Sequence, residues 1–266
     1  MSGDPLPPPG RHHWTERSIG DFWDRVAQTR LTELSFARGA APSLLKLFPH
    51  YLRSDGNHLD FGGGDGDLAA ALISAGFKTA LYEPSAQRSE AARQRLGGLP
   101  GFLGIEDGTG GRRYDVVFCL EVIEHVMEDQ LPGFLNRAAT LVKPSGHLIL
   151  TCPNAEDLDL DSCVCPECGT FFHRWQHLRS VTPGWLVDQL NSVGFDRAWL
   201  GLVGFDPAAI ESWVGQRAAA AVPPRRRWLP WRRTMEASPV PPPSANQPDA
   251  VIGNAARIVF VGTRRP

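Results

Sequence analysis

The sequence predicts an α/β fold: a single doubly wound, mostly parallel sheet. Three observations point to it. Short apolar runs of strand composition alternate with helical stretches of about ten residues or more between positions 57 and 204. The first of these runs passes through a glycine-rich turn directly into a helix. The segment 256–264 alternates apolar residues as a strand does and returns the chain to the sheet after a long irregular stretch. Strands alternating with helices are expected to be parallel and covered on both faces, because each crossover lays a helix over the sheet.

Taken in order, residues 1–15 open with MSGDPLPPPGRHH, which lacks the apolar core of a signal peptide and is expected as a disordered tail. Residues 16–56 are N-terminal helices. SIGDFWDRVAQTRLTELSF (18–36) starts on a capping serine and keeps Phe22, Val26, Leu31 and Leu34 at helical spacing. PSLLKLFPHYL (42–52) is a second, short helix. The core spans 57–204. NHLDF (57–61) is a strand, DGDLAAALISAG (65–76) a helix, KTALYE (78–83) a strand and SAQRSEAARQRL (85–96) a helix. GFLGI, YDVVFCL and GHLILTC continue the strands, with a helix over QLPGFLNRAATLV (130–142). TPGWLVDQLNSVG (182–194) and FDRAWLGLVG (195–204) add a helix and a strand. Residues 155–180 form an insertion rich in cysteine and histidine. Residues 205–254 are rich in proline and arginine without periodicity and are expected as a flexible insertion. Residues 255–266 supply the last strand.

Composition narrows the function classes. Of 266 residues, 42% are hydrophobic and 21% charged, as in an ordinary soluble globular protein. A formal net charge of -2 gives no general attraction to nucleic acid or anionic membrane. No window holds eighteen uninterrupted apolar residues, so no membrane-spanning segment is expected, and the default location is the cytoplasm. Five cysteines, three of them crowded together, then point to metal or redox chemistry rather than disulfides.

The turn HLDFGGGDGDLAAAL (58–72) carries glycine at 62, 64 and 66, which lets the backbone turn sharply and a ligand lie against it. A dinucleotide fingerprint starting at Gly62 would need glycine at 67, where Asp67 stands. The pattern is instead D-x-G-x-G-x-G from Asp60. Nineteen residues after Gly64, Glu83 ends the second strand, where an acid can accept hydrogen bonds from both hydroxyls of a ribose. The turn and the acid together indicate a nucleoside ligand.

HLDFGGGDGDLA, LYEP, YDVVFCLEVIEHV and LVKPSGHLILTCPN resemble, in order and spacing, the successive motifs of the class I S-adenosylmethionine-dependent methyltransferases. The likeness covers about 57–204 and the last strand. It implies a Rossmann-like, seven-stranded sheet with the final strand antiparallel, and S-adenosylmethionine as cofactor. By resemblance Asp60, Gly62, Gly64 and Asp65 line the methionine end, Glu83 the ribose, and Glu106 and Asp107 the adenine. Phe61, Gly63, Pro84, Leu120 and Glu121 complete the implied cofactor-binding set.

LEVIEHV (120–126) follows the fourth strand, at the edge where open α/β sheets bind ligands. If Glu121 begins a helical turn, Glu124 and His125 share its face at i+3 and i+4. As helix-start acids and a packed histidine they need no ligand. As a converging set they chelate a hard cation or act as a base. The small-RNA 3′-terminal 2′-O-methyltransferases and the ubiquinone-pathway O-methyltransferases share EVxEH here, and this second resemblance implies a divalent metal such as Mg. It places that metal on Glu121, Glu124, His125 and His177, the histidine before the next helix, with His173 as the other candidate. Nothing else resembles an RNA-binding enzyme, so a small molecule or glycan hydroxyl is the expected acceptor. An RNA ribose 2′-hydroxyl and a non-catalytic binding subunit are the alternatives.

CVCPECGTFFHRWQHLRS (163–180) contains a knuckle, CPECG, with two thiols three residues apart and a glycine that lets the backbone fold round an ion. Cys165, Cys168, His173 and His177 make a tetrahedral zinc set, with Cys163 able to replace either histidine. His177 is thus claimed by both metal sites. A redox pair is disfavoured, because such pairs open a helix within their own βαβ unit. The zinc is expected to be structural, shaping a lid over the acceptor. PPRRRWLPWRR (223–233) offers weak membrane-surface contact or reads as a solvated loop.

Overall fold

The apolar runs assemble into one central sheet, and each crossover helix covers one of its faces. The computed structural model describes residues 10–107, 111–221 and 247–266. Five strands come first: β1 (Asn57–Phe61), β2 (Lys78–Tyr82), β3 (Phe102–Ile105), β4 (Tyr114–Leu120) and β5 (Val142–Pro153). A separate two-stranded ribbon follows, β6 (Ser162–Val164) paired with β7 (Phe171–His173). β8 (Phe195–Val203), β9 (Ala250–Ile252) and β10 (Arg257–Arg264) complete the main sheet in the order β3-β2-β1-β4-β5-β10-β8-β9. β10 lies antiparallel between β5 and β8, and the other pairings are parallel.

The helices are α1 (Glu16–Ala27), α2 (Phe36–Leu47), α3 (Asp67–Ser74), α4 (Ala86–Leu96), α5 (Leu131–Leu141), α6 (Pro183–Ser192) and α7 (Pro207–Ala221). On one face, Leu131 and Leu135 of α5 and Leu186 and Leu190 of α6 pack on Leu59, Leu148, Ile258 and Phe260. On the other, Leu44 and Leu47 of α2, Leu68 and Leu72 of α3 and Ile210 of α7 pack on Val116, Ile149, Val259 and Val261. Successive residues of β10 therefore feed opposite cores, as a strand's period of two requires.

Four expectations change. Residues 10–15 are not a disordered tail: Arg11 bridges to Phe171, and His12 N–H donates to the Phe171 carbonyl at 2.8 Å. The edge of β7 supplies the backbone partners that a free tail would lack. Residues 1–9 lie outside the described residues. The helix expected over 18–36 stops at Ala27, and Thr29, whose hydroxyl accepts from Leu31 N–H, starts a 3₁₀ turn at Arg30–Leu34. The second helix comes earlier than 42–52 and contains Pro42. Finally, the 205–254 stretch begins as α7 and ends in β9, which makes the sheet eight-stranded rather than seven-stranded. β9 pairs in parallel with β8 and buries Ile252 in the second core, a gain that composition alone does not reveal. The PPRRRWLPWRR segment lies outside the described residues.

Candidate active site at the carboxyl ends of the strands

The strand order reverses between β1 and β4, and the crevice outside the carboxyl ends there is where such sheets bind ligands. β1 delivers the glycine turn to this edge. Gly62, Gly64 and Gly66 have φ of 81°, 54° and 80°, a region L side chains rarely adopt. A Cβ on Gly62 would also stand 2.7 Å from Val122 Cγ2, and one on Gly63 would meet the Asp60 carboxyl at 2.5 Å. Asp60 is buried beneath the turn and accepts from Ala69 N–H at 3.1 Å. Burial pushes its carboxyl up to about 7.

Glu83, just past β2, accepts from Gly64 N–H at 2.9 Å and Ser85 N–H at 3.0 Å. Burial raises its pKa, against the pull of Arg88. Asp65 pairs with Arg88 at 3.0 Å, and Arg88 lies close over Gly64 and against the Trp23 ring. Phe61 stacks on Tyr82 at 4.9 Å. Pro84 is exposed, and Leu120 packs into the second core. Glu106 is buried, with its carboxylate accepting from Tyr114 O–H at 2.5 Å, whereas Asp107 is exposed.

The other half of the site begins at Glu121, whose φ of 51° turns the chain out of β4. Its carboxylate accepts from Thr151 O–H at 2.8 Å and faces Arg257 at 2.5 Å. The next turn, Ile123–His125, is 3₁₀ and starts after Glu121, so Glu121 does not begin a helical turn with Glu124 and His125, and among the described residues it does not join their potential metal cluster. Glu124 is 1% exposed, and neither carboxylate oxygen has a hydrogen-bond partner. Burial, then the neighbouring Glu121, pushes its pKa well above the usual range. Burial raises Glu121 as well, against the pull of Arg257. His125 Nδ1 is likewise buried without a partner, and burial, then His177, brings its pKa down to about 3. Glu124, His125 and His177 offer ligand atoms within 4.8 Å of one another.

His177 is reached from the ribbon through Gln176, which is buried at φ 64° and ties two elements together. Gln176 accepts from the Trp23 indole N–H at 2.9 Å and donates to the His125 carbonyl at 3.2 Å. Beside His177 lies a cavity of about 350 Å³, lined by His12, Trp14, Met127, Phe172 and Leu178 among others.

The tetrahedral zinc set of Cys165, Cys168, His173 and His177 is not assembled, and Cys163 brings neither histidine to it. Among the described residues, His173 and His177 group with Glu156, and no cysteine joins a potential metal cluster. The reason is the ribbon. Cys165 and Cys168 sit at its tip, and three residues of strand at ~3.3 Å each carry His173 roughly 10 Å back toward the core. Glu156, Arg257, Arg88 and Trp23 were not singled out by sequence. Glu156 belonged to AEDLDLD, an acidic run with no period to mark one member, and Arg257 opens a strand far along the chain.

A profile described as a methyltransferase domain matches residues 34–198. A ubiquinone biosynthesis O-methyltransferase of Azorhizobium caulinodans is 29% identical over 164 residues, covering 56% of this chain and 62% of that protein. One from Rhodopseudomonas palustris (strain BisB5) is 34% identical over 149 residues, covering 51% and 56%. The chain thus spans less than two thirds of the length of these relatives. Among solved structures, the 1,6-didemethyltoxoflavin-N1-methyltransferase of Burkholderia thailandensis matches all of this chain and 99% of its own, at TM-score 0.56 and 15% identity. An S-adenosylmethionine-dependent methyltransferase of Clostridium acetobutylicum covers 92% and 99%, at TM-score 0.57 and 11% identity. Glycine turn, strand-end acid, reversed strand order and antiparallel β10 agree with that profile: the chain belongs to the methyltransferase-domain family, with the class I, S-adenosylmethionine-dependent fold.

Proposed function

We propose that the chain is an S-adenosylmethionine-dependent O-methyltransferase acting on a hydroxyl of a small molecule, with a divalent cation held by Glu124, His125 and His177 beside Glu121. The observation that carries the acceptor side is the orphaned pair: both Glu124 carboxylate oxygens and His125 Nδ1 are buried with no partner. Buried polar atoms without partners are costly, and oxygen and imidazole donors within 4.8 Å fit a cation such as Mg²⁺ or Mn²⁺. On the donor side, the turn from Gly62 to Gly66 fits a ligand lying against backbone, and Glu83 fits ribose hydroxyls. When bound, S-adenosylmethionine supplies the electrophilic methyl group and the cation polarises the acceptor oxygen. The protein's part is alignment: Glu83 and the glycine turn orient the donor, and the turn at Glu121 sets the acceptor residues beside it. The cavity next to His177 suits an acceptor of ring size, and the named activity of the relatives supports oxygen as the methylated atom.

Calorimetry with S-adenosylmethionine and, separately, Mn²⁺ tests both halves, followed by labelled methyl transfer to a panel of catechols and sugars with and without chelator. Micromolar donor binding and chelator-sensitive transfer are expected. No donor binding would leave a non-catalytic subunit, and transfer only to RNA 3′ ends would move the acceptor to ribose.

We infer also that the ribbon tip holds a structural zinc through Cys165 and Cys168, without either histidine. Gly169, at φ 72°, lets its N–H reach the Cys165 carbonyl at 2.9 Å, and Cys165 N–H reaches the Thr170 carbonyl at 2.8 Å. The Thr170 hydroxyl lies 2.9 Å from Cys168 Sγ, and this hydrogen bond lowers the thiol's pKa toward the thiolate a metal needs. Purified protein should carry about one zinc per chain. The Cys165→Ser/Cys168→Ser double variant should carry none; zinc retained in it refutes the assignment.

A further inference from the structure

His177 sits between two clusters, one with Glu124 and His125 and one with Glu156 and His173. Hydrogen bonding decides which of its nitrogens is free for which. A neutral imidazole carries one N–H and one lone pair, so fixing the role of one nitrogen fixes the other.

His173 comes first. Its Nδ1 faces two backbone donors, Trp175 N–H at 3.3 Å and His177 N–H at 3.2 Å. Nδ1 is therefore the acceptor, and the ring proton is on Nε2. That Nε2 faces Glu156 Oε1 at 3.4 Å, in ion-pair rather than hydrogen-bond geometry. A nitrogen that carries the proton has no lone pair for a cation.

His177 is the reverse case. Its Nδ1 stands 2.5 Å from Glu156 Oε2, and a carboxylate can only accept, so Nδ1 carries the proton. The lone pair is left on Nε2. The two rings stack at 4.1 Å and 19°, which lets one carboxylate face both, one oxygen to each. The His177 ring also stands edge-on to His125, with centroids 4.9 Å apart.

We propose that Glu156 is a positioning residue: accepting Nδ1–H from His177 fixes the tautomer that presents Nε2 as a lone pair to the Glu124–His125 site. The Glu156–His173–His177 cluster is then an orienting carboxylate with two donors, not a second metal cage. Partner carboxylates behind a ligand histidine fix ring and tautomer in the same way, and their loss costs about 10–100-fold in metal affinity. The inference rests on the reading of the Glu124–His125 site given above.

The experiment uses the full chain labelled with ¹⁵N-histidine, with long-range ¹H–¹⁵N correlation to read tautomers and Mn²⁺ titration to read affinity. In the wild type, His177 is expected as the Nδ1–H tautomer and His173 as Nε2–H. Glu156→Ala should release His177 toward Nε2–H and weaken Mn²⁺ binding about 10–100-fold. Glu156→Gln, which keeps an acceptor oxygen, should retain the Nδ1–H form and lose less affinity. Unchanged S-adenosylmethionine affinity reports that the variants fold. His177 found as Nε2–H in the wild type overturns the proposal, and that readout needs no variant. So does a Glu156→Ala chain with unaltered tautomer and Mn²⁺ affinity, which leaves the metal reading standing. A wild type that binds no Mn²⁺ yet shows a Glu156-dependent Nδ1–H on His177 sinks the metal reading and keeps the positioning one.

Discussion

At the scale of single residues, the donor turn is set by backbone geometry that side chains cannot replace. Gly62→Ala places a Cβ at φ 81° and 2.7 Å from Val122, so it should cost about 1–3 kcal/mol in urea unfolding. Adding Val122→Ala restores the space but not the dihedral, and should recover only part of the loss. Asp60 gives a pH signature. Its folded pKa of about 7 lies above the unfolded value near ~3.9, so the protonated form is favoured by folding. The stability it contributes is full below about pH 4 and is lost as pH rises through about 7. Asp60→Asn should therefore flatten the stability profile between about pH 4 and 7; a profile as steep as the wild type's would place the effect elsewhere. Glu121, Glu124 and His125 were legible because three chemical groups at short spacing follow an apolar run. Glu156 was not, since its role comes from facing two imidazoles rather than from any neighbour in sequence.

At the scale of elements, α1 is fastened to the acceptor side through one buried amide. Trp23 Nε1 donates to Gln176, which donates on to the His125 carbonyl. Trp23→Phe keeps an aromatic ring against Arg88 and His125 but leaves the Gln176 oxygen without its donor. It should destabilise the protein by about 1–3 kcal/mol, read by denaturant unfolding, while Trp23→Ala should cost more through lost packing. Unchanged stability in Trp23→Phe would show that water replaces the indole. The ribbon shows why spacing misled. Counting residues from Cys168 to His173 and His177 suggested one tetrahedral site, because the count took the two histidines as i and i+4 on one helix. β7 is extended, so the same count measures distance away from the tip.

At the scale of the whole molecule, the parallel core was legible because strands covered on both faces are apolar throughout, and YDVVFCL and GHLILTC are such strands. The eighth strand was not, because Ala250–Ile252 is three residues long and follows a stretch without period. Nor was the partner of Glu121, since the sheet order alone brings Arg257 from the start of β10 to the end of β4. Arg257→Met removes the cation facing a buried carboxylate and should cost about 1–3 kcal/mol at pH 7, below the ~3–5 of a fully buried pair. The loss should shrink in acid as Glu121 takes up a proton, and a pH-independent loss would contradict the pairing. The place of β10 also bears on how the chain is made. β5 and β8 are both synthesised before β10, so each lacks its antiparallel neighbour along that edge until β10 follows. Until Arg257–Arg264 slots between them, both edges are open to solvent, and that late zippering sets the window in which the newborn protein most needs shelter from aggregation.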